Sequence, residues 1–299
     1  LADGDVLGLV ERIEVELQGS LALTGAGHAT PKAVVLGLLR MEPETLDPDK
    51  ADAMVADVYT AKDLRLADGR VIPFDPETDI VFAYHVLPDL HPNGMKLSAF
   101  AASGDVLLEE TYYSVGGGFI ATAKQLSTPP EDDIVKTGSD VPYPFGSAAE
   151  LLGICADKGM AIHEVILTNE DAMRPRAETE AALDRIADVM LACIERGLVH
   201  EGILPGGLKV RRRAPEIWAK LQASPQSNER EQIFDWLNAY AMAVNEENAG
   251  GGQVVTAPTN GAAGIIPSVI RHYCADAEDR TVRLRKFLLT AGGVGLLYK

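Results

Sequence analysis

Four stretches of this 299-residue chain place proton-moving or hydrogen-bonding groups where the backbone can come close to a small ligand. In Thr24–Thr30, reading TGAGHAT, His28 follows two glycines and precedes a helix start, beside free N–H groups of the kind that receive carboxylates. Leu90–Met95, LHPNGM, sets His91 just before a Pro-Asn-Gly turn. Tyr112–Phe119, YYSVGGGF, follows a strand with three glycines whose backbone donors could contact a ligand. Asn245–Gly264, NEENAGGGQVVTAPTNGAAG, is the richest, because amide side chains and glycines between apolar helices cost stability unless something uses them. A loop histidine is more often a packing or surface residue than a catalyst, and glycine runs also occur in plain loops. No one of the four defines a site by itself.

The elements that must position them follow from periodicity. Ile13, Val15 and Leu17 alternate with Arg12, Glu14 and Glu16, which predicts a half-buried strand. A tight loop over Gly25–His28 then leads to a helix with Thr30 as N-cap and Pro31 in its first turn, running through Val34, Val35, Leu38 and Leu39. A charged helical segment spans Pro48–Leu64, and strands are expected over Ile80–Val86, Lys96–Ala102 and Val106–Val115. Ser103, Gly104 and Asp105 turn the last pair into a hairpin. Past the loop Ser127–Asp140 the pattern is helical: Ser147 and Glu150 form a capping box, Gly159 closes that helix, and Leu183, Ile186, Ala187, Met190, Leu191 and Ile194 mark one apolar face with Gly197 beyond its end. Ile233, Leu237, Tyr240 and Val244 mark another, followed by Ile265–Tyr273 and Val282–Tyr298. These patterns predict an α+β fold in two domains, an α/β domain over residues 1–138 and an all-helical domain over 139–299.

Composition narrows the function. With 46% hydrophobic residues the chain can bury large cores, and a formal net charge of -17 argues against nucleic acid and anionic membranes as partners. Lys209, Arg211, Arg212 and Arg213 are the one basic cluster, read as a solvated loop or helix end. Cys155, Cys193 and Cys274 show neither disulfide nor metal spacing, which fits a reducing, cytoplasmic setting. Phe287–Tyr298, the longest apolar stretch, falls short of the roughly 20 residues that span a bilayer. No signal-peptide pattern opens the chain. It begins without Met and ends at Lys299 inside an uncapped, helix-like pattern, so material is expected to be missing at both ends.

In sequence order, TGAGH, LHPNGM, YYSVGGGF, VPYPF at Val141–Phe145, LPGGLKVRRRA at Leu204–Ala214, NEENAGGG and APTNGAAG at Ala257–Gly264 resemble the bacterial iron–sulfur L-serine dehydratases, nearly end to end. The resemblance implies a lyase of amino-acid catabolism and gluconeogenesis, an L-serine ammonia-lyase. Loss of water from L-serine is followed by hydrolysis of the enamine and imine to pyruvate and ammonia. It implies a [4Fe-4S] cluster in which three cysteines hold three irons and the fourth iron acts as a Lewis acid. It also implies a first domain similar to the regulatory substrate-binding domain of some phosphoglycerate dehydrogenases, an all-helical second domain, and a homo-oligomer, a dimer. Carried over residue by residue, His28 becomes the general base and His91 a positioning or second proton-transfer group. Thr24, Gly25, Ser114, Gly116, Asn248, Thr259, Asn260 and Gly261 become substrate contacts.

The chain departs from that family's pattern. A serine-rich segment with an embedded histidine normally precedes the first strand, and the cluster cysteines normally follow the position of Lys299. The second domain is therefore expected to be C-terminally incomplete and the chain as given to hold no cluster, since Cys155 and Cys193 read as helix packing and Cys274 lies outside the motifs. Ala262 and Ala263 stand where some members have a cysteine. Two other readings compete. A pyridoxal-phosphate dehydratase would use Lys32 as Schiff base and Gly250–Gly252 as phosphate cup, and a non-catalytic module would sense serine.

Overall fold

The computed structural model describes residues 6–116, 118–127, 141–205, 207–223, 229–256, 260–274 and 276–298. The chain divides into two compact units, Leu1–Pro129 and Pro130–Lys299. The boundary expected at 138/139 and the substrate contact expected at Thr259 lie outside the described residues.

The first unit is built on a sheet in the order β4-β1-β5-β6-β7. Its strands are β1 (Arg12–Gly19), β4 (Ile80–Ala83), β5 (Asn93–Phe100), β6 (Val106–Gly116) and β7 (Phe119–Thr122). β4 runs parallel to β1, and the other pairings are antiparallel. The alternation of β1 holds: Ile13, Val15 and Leu17 are buried. They share a core with Val34 and Val35 of α2 (Thr30–Leu38), Val58 of α3 (Pro48–Ala61), and Leu64 and Ile72 of the small hairpin β2 (Asp63–Arg65) and β3 (Val71–Pro73). Phe74, fully buried, follows β3, and a short helix, α4 (Pro76–Asp79), leads into β4. Across the register from β1, Lys96 of β5 reaches Glu16 at 3.9 Å and Glu109 of β6 at 3.6 Å, so these outward strand positions carry charge. The hairpin at Ser103–Asp105 forms as expected, with Gly104 at φ 87°.

Several local expectations differ from the fold. The TGAGH loop is helical: α1 (Ser20–Thr24) runs into a 3-10 turn over Gly25–His28. Thr30 does not cap α2. That place falls to Ala29, in the left-handed region at φ 57° and without a side-chain cap, while the Thr30 side chain is packed tightly against Gly25. Asn93 and Gly94 are not a turn but the start of β5, because Gly19 and Asn93 pair across the sheet. The strand β7 and the helix α5 (Ala123–Ser127) beyond the glycine run carry no periodicity that the sequence reveals.

In the second unit the regular elements among the described residues are helices, apart from an isolated bridge between Ile203 and Arg211. The helices are α6 (Ala148–Lys158), α7 (Ile162–Met173), α8 (Arg176–Val199), α9 (Ala214–Ala223), α10 (Glu229–Gly250), α11 (Ile265–Tyr273) and α12 (Arg280–Gly295). Ser147 accepts the Glu150 N–H at 3.2 Å as expected, but the Glu150 carboxylate accepts from Gly146 rather than from Ser147, so only half the capping box forms. Gly159 closes α6 at φ 66°. Helix α8 serves two cores. Ala187, Met190 and Leu191 meet Ile270, Cys274 and Leu284, whereas Cys193, Ile194 and Leu198 meet Ala214, Tyr240, Ala243 and Val244. Gly197, expected beyond the end of this helix, lies inside it, and Ile186, expected on its apolar face, is exposed. Among the described residues no helix is long and apolar enough to cross a membrane.

Candidate active site

Two of the four sequence segments meet at one end of the first sheet, and a third, Thr24–Thr30, follows the short helix α1 that leaves it. Strand β1 ends at Gly19, opposite Asn93 at the start of β5, and Gly94 stands opposite Tyr113 near the end of β6. The junction is tight: Ser20 N–H donates to Pro92 O at 2.7 Å, and a Cβ on Gly19, at φ 53°, would stand 2.2 Å from that same oxygen. Glycine is therefore required where β1 hands over to α1. The Asn93 side-chain amide donates to Ser114 O at 3.1 Å, tying the LHPNG segment to the YYSVG segment. Beyond it Gly116 is at φ 98° with open space about it.

The two histidines at this end are held in opposite senses. His28 is exposed, and its Nδ1 lies 2.8 Å from the carbonyl oxygen of Thr24. A carbonyl can only accept, so Nδ1 carries the proton and Nε2 of the neutral ring keeps its lone pair. His91 Nδ1 lies 3.2 Å from the backbone N–H of Asn93, which can only donate, so in neutral His91 the proton sits on Nε2. One ring presents an acceptor and the other a donor. Thr24 gives its hydroxyl proton to Ser20 O at 2.8 Å, which leaves its oxygen as an acceptor, and Gly25 is buried against Thr30.

The second unit holds the remaining predicted contacts. Asn260 and Gly261 are exposed in a 3-10 turn over Asn260–Ala262, and Asn260 Oδ1 accepts the Thr256 hydroxyl at 2.5 Å. Half-buried Asn248 sits in the last turn of α10 and accepts from Gly251 N–H through its carbonyl. Gly264 is set by packing, since a Cβ there would stand 2.6 Å from Ala241 O of α10.

Sequence reasoning overlooked the groups beneath this segment. Glu247, 1% exposed, accepts from Arg196 Nε at 2.6 Å and Arg212 Nη1 at 2.5 Å, and its carboxylate lies 3.1 Å from His200 Nδ1. Arg212 is therefore not a solvated charge; its side chain is 10% exposed. The glycines expected to cradle a ligand are occupied by this cluster: a Cβ at Gly250 would stand 2.3 Å from Arg212 Nη2, and one at Gly252 2.4 Å from Glu247 Oε2. Two glutamates in succession at an apolar helix end, with glycines after and arginines before, were the available signal. A second overlooked device is Asn169 of α7, which accepts from Tyr143 N–H at 2.9 Å and donates to Tyr143 O at 2.8 Å, clamping the VPYPF segment.

Lys32 holds Asp52 at 2.5 Å, and with Gly250 and Gly252 committed to Arg212 and Glu247, the pyridoxal-phosphate reading finds neither its lysine free nor its glycine cup open. The cysteines do not fit a shared [4Fe-4S] cluster. Cys193 and Cys274 belong to different apolar cores, and Cys155 lies on α6. Burial, with the charge of Glu247 adding to it, pushes the Cys193 thiol up to about 12, and burial also raises that of Cys274. Among the described residues no group of three or more His, Cys, Asp or Glu could hold a metal ion. A cavity of about 400 Å³ between α7, α8 and α12 includes no predicted site residue, and its Arg176 and Arg285 are already engaged by Asp171, Asp184 and Glu180.

Comparison with known proteins agrees with the segment order. Residues 1–125 match the family described as serine dehydratase beta chain, and residues 157–299 match the serine dehydratase alpha chain. An L-serine dehydratase of Streptomyces coelicolor is 44% identical over 304 residues, covering 100% of this chain and 65% of that protein. The L-serine dehydratase 1 of Escherichia coli is 40% identical over 303 residues, again 100% and 65%, and an L-serine dehydratase of Mycobacterium bovis is 44% identical over 298 residues, 97% and 62%. The chain thus spans less than two thirds of the length of the relatives it matches.

Proposed function

The chain belongs to the serine dehydratase family, and from that premise we propose that it is the greater part of an enzyme converting L-serine to pyruvate and ammonia. The observation that carries the reading is the opposite hydrogen bonding of the two histidines. His28 Nε2 takes the proton from the carbon beside the carboxylate. The C–H electron pair becomes the new C=C bond as the β-carbon–oxygen bond breaks, and the hydroxyl leaves as water once it gains a proton. His91 offers an Nε2–H to a substrate oxygen, the hydroxyl or the carboxylate. The enamine released tautomerises to an imine, which water hydrolyses to pyruvate and ammonium.

Family resemblance assigns Lewis-acid help to a [4Fe-4S] cluster. Cys155, Cys193 and Cys274 do not fit its ligand set, so the sulfur ligands of such a cluster are residues other than these. The remaining contacts follow the same resemblance. Thr24, Gly25, Ser114 and Gly116 in the first unit, and Asn248, Thr259, Asn260 and Gly261 in the second, meet substrate, with Asn260 offering its amide and Gly261 its N–H. The likeness of the first unit to the regulatory domain of phosphoglycerate dehydrogenases, a cytoplasmic setting and a homodimer belong to the same proposal.

Pyruvate release from L-serine by the full-length protein, assayed without oxygen, tests the reading. His28→Ala is expected to lower kcat by about 10²–10⁴, the worth of a positioned base, with iron content unchanged. Near wild-type turnover would remove His28 as base. Serine binding without any turnover by the unmodified protein would favour a sensing module instead.

A further inference from the structure

Glu247 stands at a junction of three chain segments. Arg196 comes from α8, His200 from its C-terminal cap, and Arg212 from the connection to α9. The neighbouring Glu246, also buried, takes the N–H groups of Arg213 at 2.8 Å and Ala214 at 3.1 Å, which secures the start of α9. A buried carboxylate is tolerated only when paired and hydrogen-bonded, and this one is met by two guanidinium groups and an imidazole.

The chain after α10 is moulded on that cluster. Gly252 N–H donates to the main-chain carbonyl of Glu247 at 2.8 Å, while the Glu247 carboxylate lies against Gly252 and the Arg212 guanidinium against Gly250. Of the three glycines only Gly251, at φ 81°, has a backbone that calls for glycine. At Gly250 and Gly252 a Cβ would press on the side-chain ends of Arg212 and Glu247, which would have to shift. From Gly252 the chain passes Val254 and Val255, each packed against a different core of the unit, to Thr256 and its hydrogen bond with Asn260. The segment is thus anchored by charge at its root and by apolar contacts in its middle, with exposed polar groups at its tip.

We propose that Glu247, directly at Gly252 and through Arg212 at Gly250, is a positioning residue that holds the Gly250–Gly252 turn and so sets the place of Thr256 and Asn260. This rests on the reading that Asn260 meets substrate. A group that orients a binding segment without touching the reacting atoms acts on ground state and transition state alike, so its loss raises KM more than it lowers kcat.

The test uses the full-length enzyme carrying Glu247→Gln. The expected result is a KM for L-serine raised at least about tenfold with kcat within about threefold, and Glu247→Asp restoring part of the loss. Amide hydrogen exchange over residues 250–256 is expected to quicken by at least about tenfold while the interiors of α8 and α10 keep their protection. Should Glu247→Gln fail to fold, Gly252→Ala leaves every charge in place, forces a Cβ against the carboxylate, and carries the same expectation. An unchanged KM in either folded variant, a fall in kcat alone, or unchanged exchange over residues 250–256 would overturn the proposal. If the unmodified enzyme makes no pyruvate from serine, the proposed function fails instead, and exchange alone then decides whether Glu247 holds the turn.

Discussion

A histidine's chemistry is set by what its other nitrogen touches. Thr24 O and Asn93 N–H settle opposite tautomers for His28 and His91, and neither partner is a side chain, so of the substitutions at those two partners only proline at 93, which lacks the N–H, removes a partner atom. Cysteine reactivity is likewise decided by surroundings, because the thiolate is the reactive species. With Cys193 at about 12, only about one thiol in ten thousand is ionised at pH 8. Iodoacetamide at pH 8 is therefore expected to label half-buried Cys155 well before Cys193 and Cys274, with peptide mass spectrometry as the readout. Rapid labelling of Cys193 in folded protein would contradict its placement.

Helix contacts in the second unit depend on small residues at close crossings. A Cβ on Gly197 of α8 would stand 2.4 Å from Ala243 O of α10, a backbone atom that cannot turn aside. Gly197→Ala is expected to cost about 1–3 kcal/mol of stability by forcing the two helices apart, despite alanine's better helix propensity. A urea titration showing equal or greater stability would sink that account. The same crossing explains why glycine sits within a helix whose periodicity had suggested an end there. Periodicity reports which face is apolar, and says nothing of how near the neighbour comes.

Over the whole molecule, acid behaviour follows from paired carboxylates in both units. Asp47, Asp68, Asp75, Asp171, Asp184 and Glu216 are each held below the usual carboxylate range, chiefly by hydrogen bonds from Lys50, Arg70, Lys62, Arg176, Arg285 and Lys220 respectively. A depressed folded-state pKa adds stability that is full above the unfolded value, about 4, and is lost as pH falls through the folded value. Each exposed pair adds little, and the six share one direction. The urea midpoint of the chain is expected to hold steady between pH 7 and about pH 5 and to fall below about pH 4, with proton uptake on unfolding. A midpoint that rises toward pH 3 would reverse the sign.

Legible in the sequence alone were the features set by near neighbours. The alternation of β1, the apolar stripe of α8 and the hairpin at Ser103–Asp105 all rest on spacings of a few residues, where side-chain direction follows directly from backbone geometry. Tertiary structure alone decided what depends on partners far along the chain. It brought Pro92 against Gly19 and Ser20, aimed Asn93 at Ser114, and turned Arg212 from an apparent surface charge into a partner of Glu247, 35 residues away. It also reassigned Gly197, Gly250 and Gly252 from caps and ligand loops to points of close approach. A glycine looks the same in sequence whether it frees the backbone, admits a ligand or yields room to a neighbouring atom, and only the position of that atom tells them apart.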